Sequence, residues 1–468
     1  MVALPNSSQR NSRHFQVQQF HRYFLTSIIF MYLLRMLDQA PSTNQEEQLP
    51  RKLGMWGIWL LVVNGLIGAG IFGLPSGASK LAGEYSVWVY AFCALLILPV
   101  ILSFSEAGSY FRGTGGPVRY GTEAFGAFIG FQSGWLYYMA RLISFSANSV
   151  LLVESIGYFF EPAGDGIGRI VALALVCGGL TLINVLGSLE SVRTLAAFTV
   201  IKFSVLILLV FGGLVLLGSE ILPSFENAAP SATDFGAATL LLIYAFVGFE
   251  GGVVPAGETK NPERDMPKAL IFGLISIVIL YMLIQLVAEA AVPNLAESSS
   301  PLLDASSSLF GDIGAVILMI GIVTSVTANL MSNMFSTPRL TYALSLDKSL
   351  PGWFGKVHPT FLTPANSVLF FGVFAFIGAA LSSFTVLAAM TVLSRLFLYI
   401  ITCAAIPKLR TKFQSETTFT LSGGYLVPIL GILACIWLTF QVSLINIWMT
   451  LLFIVVGTVL FWLGKKTS

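Results

Sequence analysis

From Met55 onward the chain reads as a succession of apolar runs separated by short polar stretches. Twelve runs are predicted, at 55–77, 84–105, 124–153, 167–187, 193–218, 234–256, 268–292, 312–343, 364–382, 384–407, 424–440 and 442–463. A hydrocarbon core of about 30 Å is crossed by about 20 residues of helix, so each run is long enough to span. The runs are continuous rather than alternating, which predicts helices and not barrel strands. Residues 1–50 are different: a polar opening leads into a short apolar patch, Phe24 to Leu37, interrupted by Arg35. That patch is short for a span. It resembles a signal-peptide core without a clean small-residue cleavage site, or an interfacial helix. The preferred expectation is that the true start is Met31 or Met36 and that residues 1–50 form a dispensable tail.

Two runs are interrupted. Asn64 to Gly73 carries four glycines in ten residues, each costing about 1 kcal/mol relative to alanine inside a helix. Such a stretch is either a packing site of small residues or a helix broken at the bilayer midplane. In the second case the following half-helix turns free backbone N–H groups and its positive end toward an anion. The sixth run breaks in the same manner at Gly248, Gly251 and Gly252, with Pro255 and Gly257 close behind. Runs one to five occupy residues 51–218 and runs six to ten residues 234–407, halves of similar length that enter the membrane from opposite sides. The expected fold is therefore an all-α integral membrane protein with twelve transmembrane helices. Two five-helix inverted repeats have broken first members, and two extra helices follow at 424–463.

Positive charge sets the orientation. Arg51, Lys52, Arg112, Arg119, Arg193, Lys260, Arg264, Lys268, Lys348, Lys356, Lys408, Arg410, Lys412, Lys465 and Lys466 fall on one side of this plan. The alternate loops hold little more than Lys80 and Arg169 and are acidic instead. Both termini are expected in the cytoplasm and the protein in a plasma membrane.

Composition narrows the chemistry. The chain is 56% hydrophobic and 10% charged, against about 25% charged in soluble domains. The four cysteines lie inside apolar runs without a CxxC pair, and the three histidines, His14, His21 and His358, lie outside them. Metal, disulfide and cofactor chemistry are not expected, and neither is an intramembrane enzyme, which needs a nucleophile–base pair or metal ligands. No basic stripe points to nucleic acid, and no Walker motif points to ATP. Charged groups inside the spans are costly and mark function by default. Those singled out are Lys202 in the fifth run, Glu250 beside the second break, Arg141 and Arg395. Either arginine is a possible partner for Glu250. Glu106, Glu258 and Arg339 are expected to tie loops together, and Thr324, Ser325, Thr327 and Asn329 to make helix-packing hydrogen bonds or line a cation site.

Several motifs carry a resemblance: Ile67-Gly68-Ala69-Gly70-Ile71-Phe72; Gly113-Thr114-Gly115-Gly116-Pro117-Val118-Arg119-Tyr120; Phe246-Val247-Gly248-Phe249-Glu250 with Ala256-Gly257-Glu258-Thr259-Lys260-Asn261-Pro262; and Pro338-Arg339-Leu340-Thr341-Tyr342. In this order they resemble the amino acid–polyamine–organocation transporter superfamily, whose members share the LeuT-type fold.

The resemblance implies a secondary amino-acid transporter, with a proton-coupled symporter of neutral amino acids as the leading form and an amino acid or amine exchanger without net ion coupling as the alternative. A substrate carboxylate would meet the backbone at Ile67, Gly68, Ala69 and Gly70. Its ammonium would meet carbonyls near Phe246, Val247 and Gly248, with Tyr244 and Phe246 as aromatic gates or as ordinary packing. Lys202, in Phe198-Thr199-Val200-Ile201-Lys202, would stand where sodium sits in sodium-coupled relatives, contact the first span near Gly65 and couple protonation to opening, with Glu250 as a second coupling group. The partners implied are an amino acid, a proton and membrane lipid.

Overall fold

A polypeptide inside lipid must satisfy its backbone hydrogen bonds within each segment, and long runs of Leu, Ile, Val and Phe do so as helices. A computed structural model describes residues 54–111, 116–187, 192–224, 228–253, 259–413, 419–421 and 423–466. All of them lie in one compact unit, Arg51–Ser468. Among the described residues every regular element is a helix. The α-helices are α1 (Met55–Leu66), α2 (Gly70–Ala82), α3 (Ser86–Ser109), α4 (Gly116–Phe125), α5 (Ala127–Phe159), α6 (Gly166–Val185), α7 (Val192–Leu217), α8 (Ala232–Ile243), α9 (Glu250–Val253), α10 (Pro262–Ala291), α11 (Pro301–Leu346), α12 (Ala365–Leu381), α13 (Phe384–Lys412), α14 (Leu426–Phe440) and α15 (Leu444–Lys466).

Eight described stretches are long and apolar enough to cross a membrane, one of them α2 and α3 taken together. Shorter apolar helices cover Met55–Leu66, Ala232–Phe246, Ala365–Leu381 and Leu426–Phe440. The chain is thus a multi-pass membrane protein. The 1–50 tail, with its start at Met31 or Met36, lies outside the described residues, as do Gly113 to Gly115 and Ala256 to Glu258.

Burial sorts the helices. The most apolar windows of α5 and α13 are 67% and 61% buried, and these two helices pack along each other at the centre. The corresponding window of α6 is only 11% buried; Ile167, Val171, Leu175 and Leu182 point outward, where lipid is their natural solvent. The described core is one continuous apolar cluster that includes both interrupted segments.

One boundary departs from the hydrophobic pattern, and another is marked by a kink. The third run, expected at 124–153, divides at Gly126 into α4 and a longer α5 that reaches Phe159. The eighth, expected at 312–343, corresponds to the part of α11 after Gly311, where two helical stretches within Pro301–Leu346 meet at a kink. At Gly311 the dihedrals are φ 65°, ψ −160°, a conformation glycine adopts without strain. The preceding turns, with Asp304 and Ser306 to Ser308, are too polar to register as part of a span.

Candidate functional site

The first run breaks as its glycines require. α1 stops at Leu66, residues Ile67 to Ala69 are non-helical, and α2 starts at Gly70. An ended helix leaves carbonyl groups without partners. Here side chains from two other helices take them. Lys202 Nζ, from α7, donates to Asn64 O at 3.1 Å, Asn64 Oδ1 at 2.5 Å and Ile67 O at 2.9 Å. Tyr281, from α10, donates its hydroxyl to Leu66 O at 2.8 Å. Thr199 Oγ1 donates to Asn64 Oδ1 at 3.1 Å, fixing which way the asparagine points. Lys202 is 2% exposed. Its ammonium faces oxygens that carry no formal charge, on the negative end of α1.

On the other side of the break, Ala69 N–H donates to Asn148 Oδ1 at 3.2 Å. Asn148 belongs to α5 and donates its own Nδ2 to Ser144 O at 2.6 Å. Asn329, from α11, stands beside Gly68: a Cβ there would lie 3.6 Å from Asn329 Nδ2 and 3.9 Å from Asn148 Oδ1. Ala69 caps α2 without a side-chain hydrogen bond of its own. The start of α2 therefore offers backbone donors among amide side chains.

The sixth run unwinds in step. α8 ends at Ile243, Tyr244–Phe246 is a single 3-10 turn, Val247 is extended at φ −83°, ψ 136°, and Gly248 has φ +121°. The two breaks touch. A Cβ on Gly65 would stand 2.5 Å from Gly248 O, and a Cβ on Gly248 would run into Gly65 O. Only glycine at both positions lets the backbones approach so closely.

Tyr244 lies over this junction. Its ring meets Phe384 edge-on at 5.9 Å, its hydroxyl is 3.5 Å from Ser144 Oγ, and a Cβ on Gly70 would touch its Cδ1 at 3.3 Å. Phe246 points away into an aromatic cluster with Tyr90 and Tyr281, centroids 6.5 and 5.8 Å apart. Its surroundings are those of a packed core residue.

Glu250 opens α9. Its Oε2 accepts the Gly248 N–H at 2.9 Å and its Oε1 accepts the Tyr399 hydroxyl at 2.5 Å. Arg395 Nε stands 3.3 Å from the same Oε1, so this arginine is the charge partner. Arg141 goes elsewhere: Nε donates to Asn333 Oδ1 and Thr337 Oγ1, both at 3.1 Å, and Nη2 to Ser336 Oγ at 2.9 Å.

The remaining polar residues divide. Glu106 is fully buried and accepts Arg410 Nε at 2.6 Å, Arg410 Nη2 at 2.8 Å, the Tyr110 hydroxyl at 2.9 Å and the Leu421 N–H at 3.1 Å. It ties the segment after α13 to α3. Burial first, and the Glu106 carboxylate second, raise the Tyr110 hydroxyl above its ordinary pKa. Arg339, expected to tie loops, instead donates to Phe335 O and stacks on the Phe335 ring at 3.5 Å, one turn back on its own helix. Thr324 donates to Ile320 O at 2.6 Å, within α11.

Two groups escaped the sequence reading. Asn148 carries no charge and so raised no flag in an apolar run. Glu289 sits in the last turn of α10, where an acid reads as an interface residue. It accepts Ser79 Oγ and Ser86 Oγ, both at 3.1 Å, and Gln285 Nε2 at 3.2 Å, joining α2, α3 and α10. Among the described residues no cluster of His, Cys, Asp and Glu has the makings of a metal site.

Comparison with known proteins gives the family. The chain is 28% identical to a branched-chain amino acid permease of Bacillus subtilis, over 92% of this chain and 96% of that protein. It is 25% identical to a serine/threonine exchanger of the same organism, over 80% of this chain and 86% of that one. An arginine/ornithine antiporter of Lactococcus lactis is 26% identical over 88% of this chain and 84% of its own length. These are names of permeases and exchangers, not of enzymes. The sequence model of the amino acid permease family matches residues 53–464, from just before α1 into the last turns of α15, and the chain belongs to that family.

Proposed function

We propose that this protein is a secondary amino-acid transporter of the plasma membrane that works by alternating access, in its leading form a symporter of a neutral amino acid and a proton. In this reading twelve spans form two inverted five-helix repeats of the LeuT type plus two further helices, with both termini cytoplasmic. The observation that carries it is the meeting of two interrupted helices at Gly65 and Gly248. Broken helices of this kind place a binding site between repeats, with a half-helix N-terminus for the substrate carboxylate. Ile67 to Gly70 would receive that carboxylate, Asn148 Oδ1 giving up the Ala69 N–H. The stretch Tyr244 to Gly248 would receive the ammonium on free carbonyls, with Tyr244 as the lid. The relatives' names, covering apolar, hydroxylated and cationic amino acids, support amino acids as the substrate class.

Lys202 is assigned the coupling role. Charged, it holds α1 at Asn64 and Ile67; neutral, it would loosen that hold and favour movement of α1. Glu250 is the second candidate, a carboxylate beside the second break. Exchange without net ion coupling is the competing form, supported by the two relatives named as an exchanger and an antiporter.

The test is uptake of a labelled amino-acid panel into proteoliposomes, with and without an inward proton gradient. Gradient-driven, sodium-independent uptake is expected, and Lys202→Ala should lower it about tenfold or more, the scale of losing charge-assisted hydrogen bonds. Uptake only into vesicles preloaded with amino acid would replace symport by exchange. Unaltered uptake and pH dependence in Lys202→Ala would remove the lysine from the mechanism.

A further inference from the structure

One face of α13 runs along the whole interrupted stretch of the sixth span. Phe384, Ala388, Thr391, Arg395 and Tyr399 recur at intervals of four, three, four and four, which lines them up on one side of a helix. One end of this row, Phe384, meets Tyr244. The other end, Tyr399, meets Glu250. The two polar residues between these contacts, Thr391 and Arg395, are 0% and 2% exposed. Neither Thr391 Oγ1 nor Arg395 Nε and Nη1 has a hydrogen-bond partner, the Glu250 contact being a charge pair without hydrogen-bond alignment. Buried polar atoms in native proteins are almost always paired. Two buried side chains, one turn apart on the helix face whose ends meet Tyr244 and Glu250, keep polar atoms without a hydrogen bond and mark a place built for something else.

We infer that Thr391 and Arg395 form the subsite for the substrate's side chain and that this side chain ends in an uncharged oxygen acceptor, a hydroxyl or an amide. The inference rests on the amino-acid transport reading and deepens it. Charge decides the class. Glu250 already balances Arg395, so a side-chain carboxylate would bring an uncompensated negative charge into a buried site. A cationic side chain offers only donors to a guanidinium that is itself only a donor. An apolar side chain leaves the arginine and threonine unpaired, which a site of this kind penalises heavily. Serine, threonine, asparagine and glutamine satisfy all three conditions.

The test compares uptake of labelled L-threonine with that of labelled L-valine, its near-isostere without a hydroxyl, by the full chain in proteoliposomes, with unlabelled L-aspartate as competitor. Threonine should be preferred in KM by about tenfold or more, and aspartate should compete poorly. Thr391→Val should bring the preference close to one, through the KM for threonine rather than kcat, while Thr391→Ser keeps it. The paired change Glu250→Gln with Arg395→Met, which leaves no lone buried charge, should erase it too. Equal handling of threonine and valine by the unaltered protein, or stronger competition by aspartate, would overturn the subsite and leave amino-acid transport standing. Survival of the preference in both Thr391→Val and the paired variant would overturn the residue assignment. Failure of the folded protein to move any amino acid would end both readings together.

Discussion

Removing the Glu106 carboxylate would strand the Arg410 guanidinium and free the backbone at Leu421. Breaking a buried pair from one side costs about 3–5 kcal/mol. Because Arg410 is 15% exposed and water can reach it, the low end of that range is expected for Glu106→Ala. Unfolding of the purified protein in detergent reads this directly. At this scale the sequence is legible where charge interrupts an apolar run, as at Lys202, Glu250, Arg141 and Arg395. Their partners are not. Arg395 lies 145 residues from Glu250 and Arg141 lies 192 from Asn333 in sequence, and spacing along one helix carries no information about which distant helix lies opposite. Asn148 shows the other limit. A neutral amide carries no charge to mark it in an apolar run, so only its contact with the Ala69 N–H reveals it.

Glycine content leaves the first run open between a packing site and a break, and the matching interruption of the sixth run favours the break; what cannot be read is that the two rest on one another. Gly65→Ala should therefore be far worse than its helix propensity implies. The added methyl meets the Gly248 carbonyl, which is backbone and cannot rotate away, so destabilisation of about 3 kcal/mol is expected. Gly178→Ala is the control: it is inside α6 with open space around the new Cβ, and should stabilise by about 1 kcal/mol or leave stability unchanged. Melting of the two variants in detergent, side by side, separates packing from propensity. The hydrophobic pattern found the apolar helices, the one after the Gly311 kink included, but not the helical segment Pro301 to Phe310 before it, which is polar enough to look like a loop. Hydropathy marks where a helix can sit in lipid, and a polar helical segment goes unrecorded.

For the whole molecule, the proposed alternating access would change the arrangement around the two breaks, while α5 and α13 are the most buried of the long helices. Lys202 is the one ammonium described on the first break, and it holds that break through three oxygens. Its burial has a consequence for the solution outside. Dissolved ions screen charges that water can reach, and the Debye length falls from about 30 Å to about 3 Å between 0.01 M and 1 M salt. The Lys412–Glu123 pair, 53% and 30% exposed, lies within their reach and should fade across that range. Lys202 lies beyond it. If the step that limits turnover is the release of α1 from this lysine, the rate should change by less than about twofold between low and high potassium chloride on both sides of the vesicle. A steep dependence on ionic strength would move control of the cycle from the interior of the protein to its wetted surface.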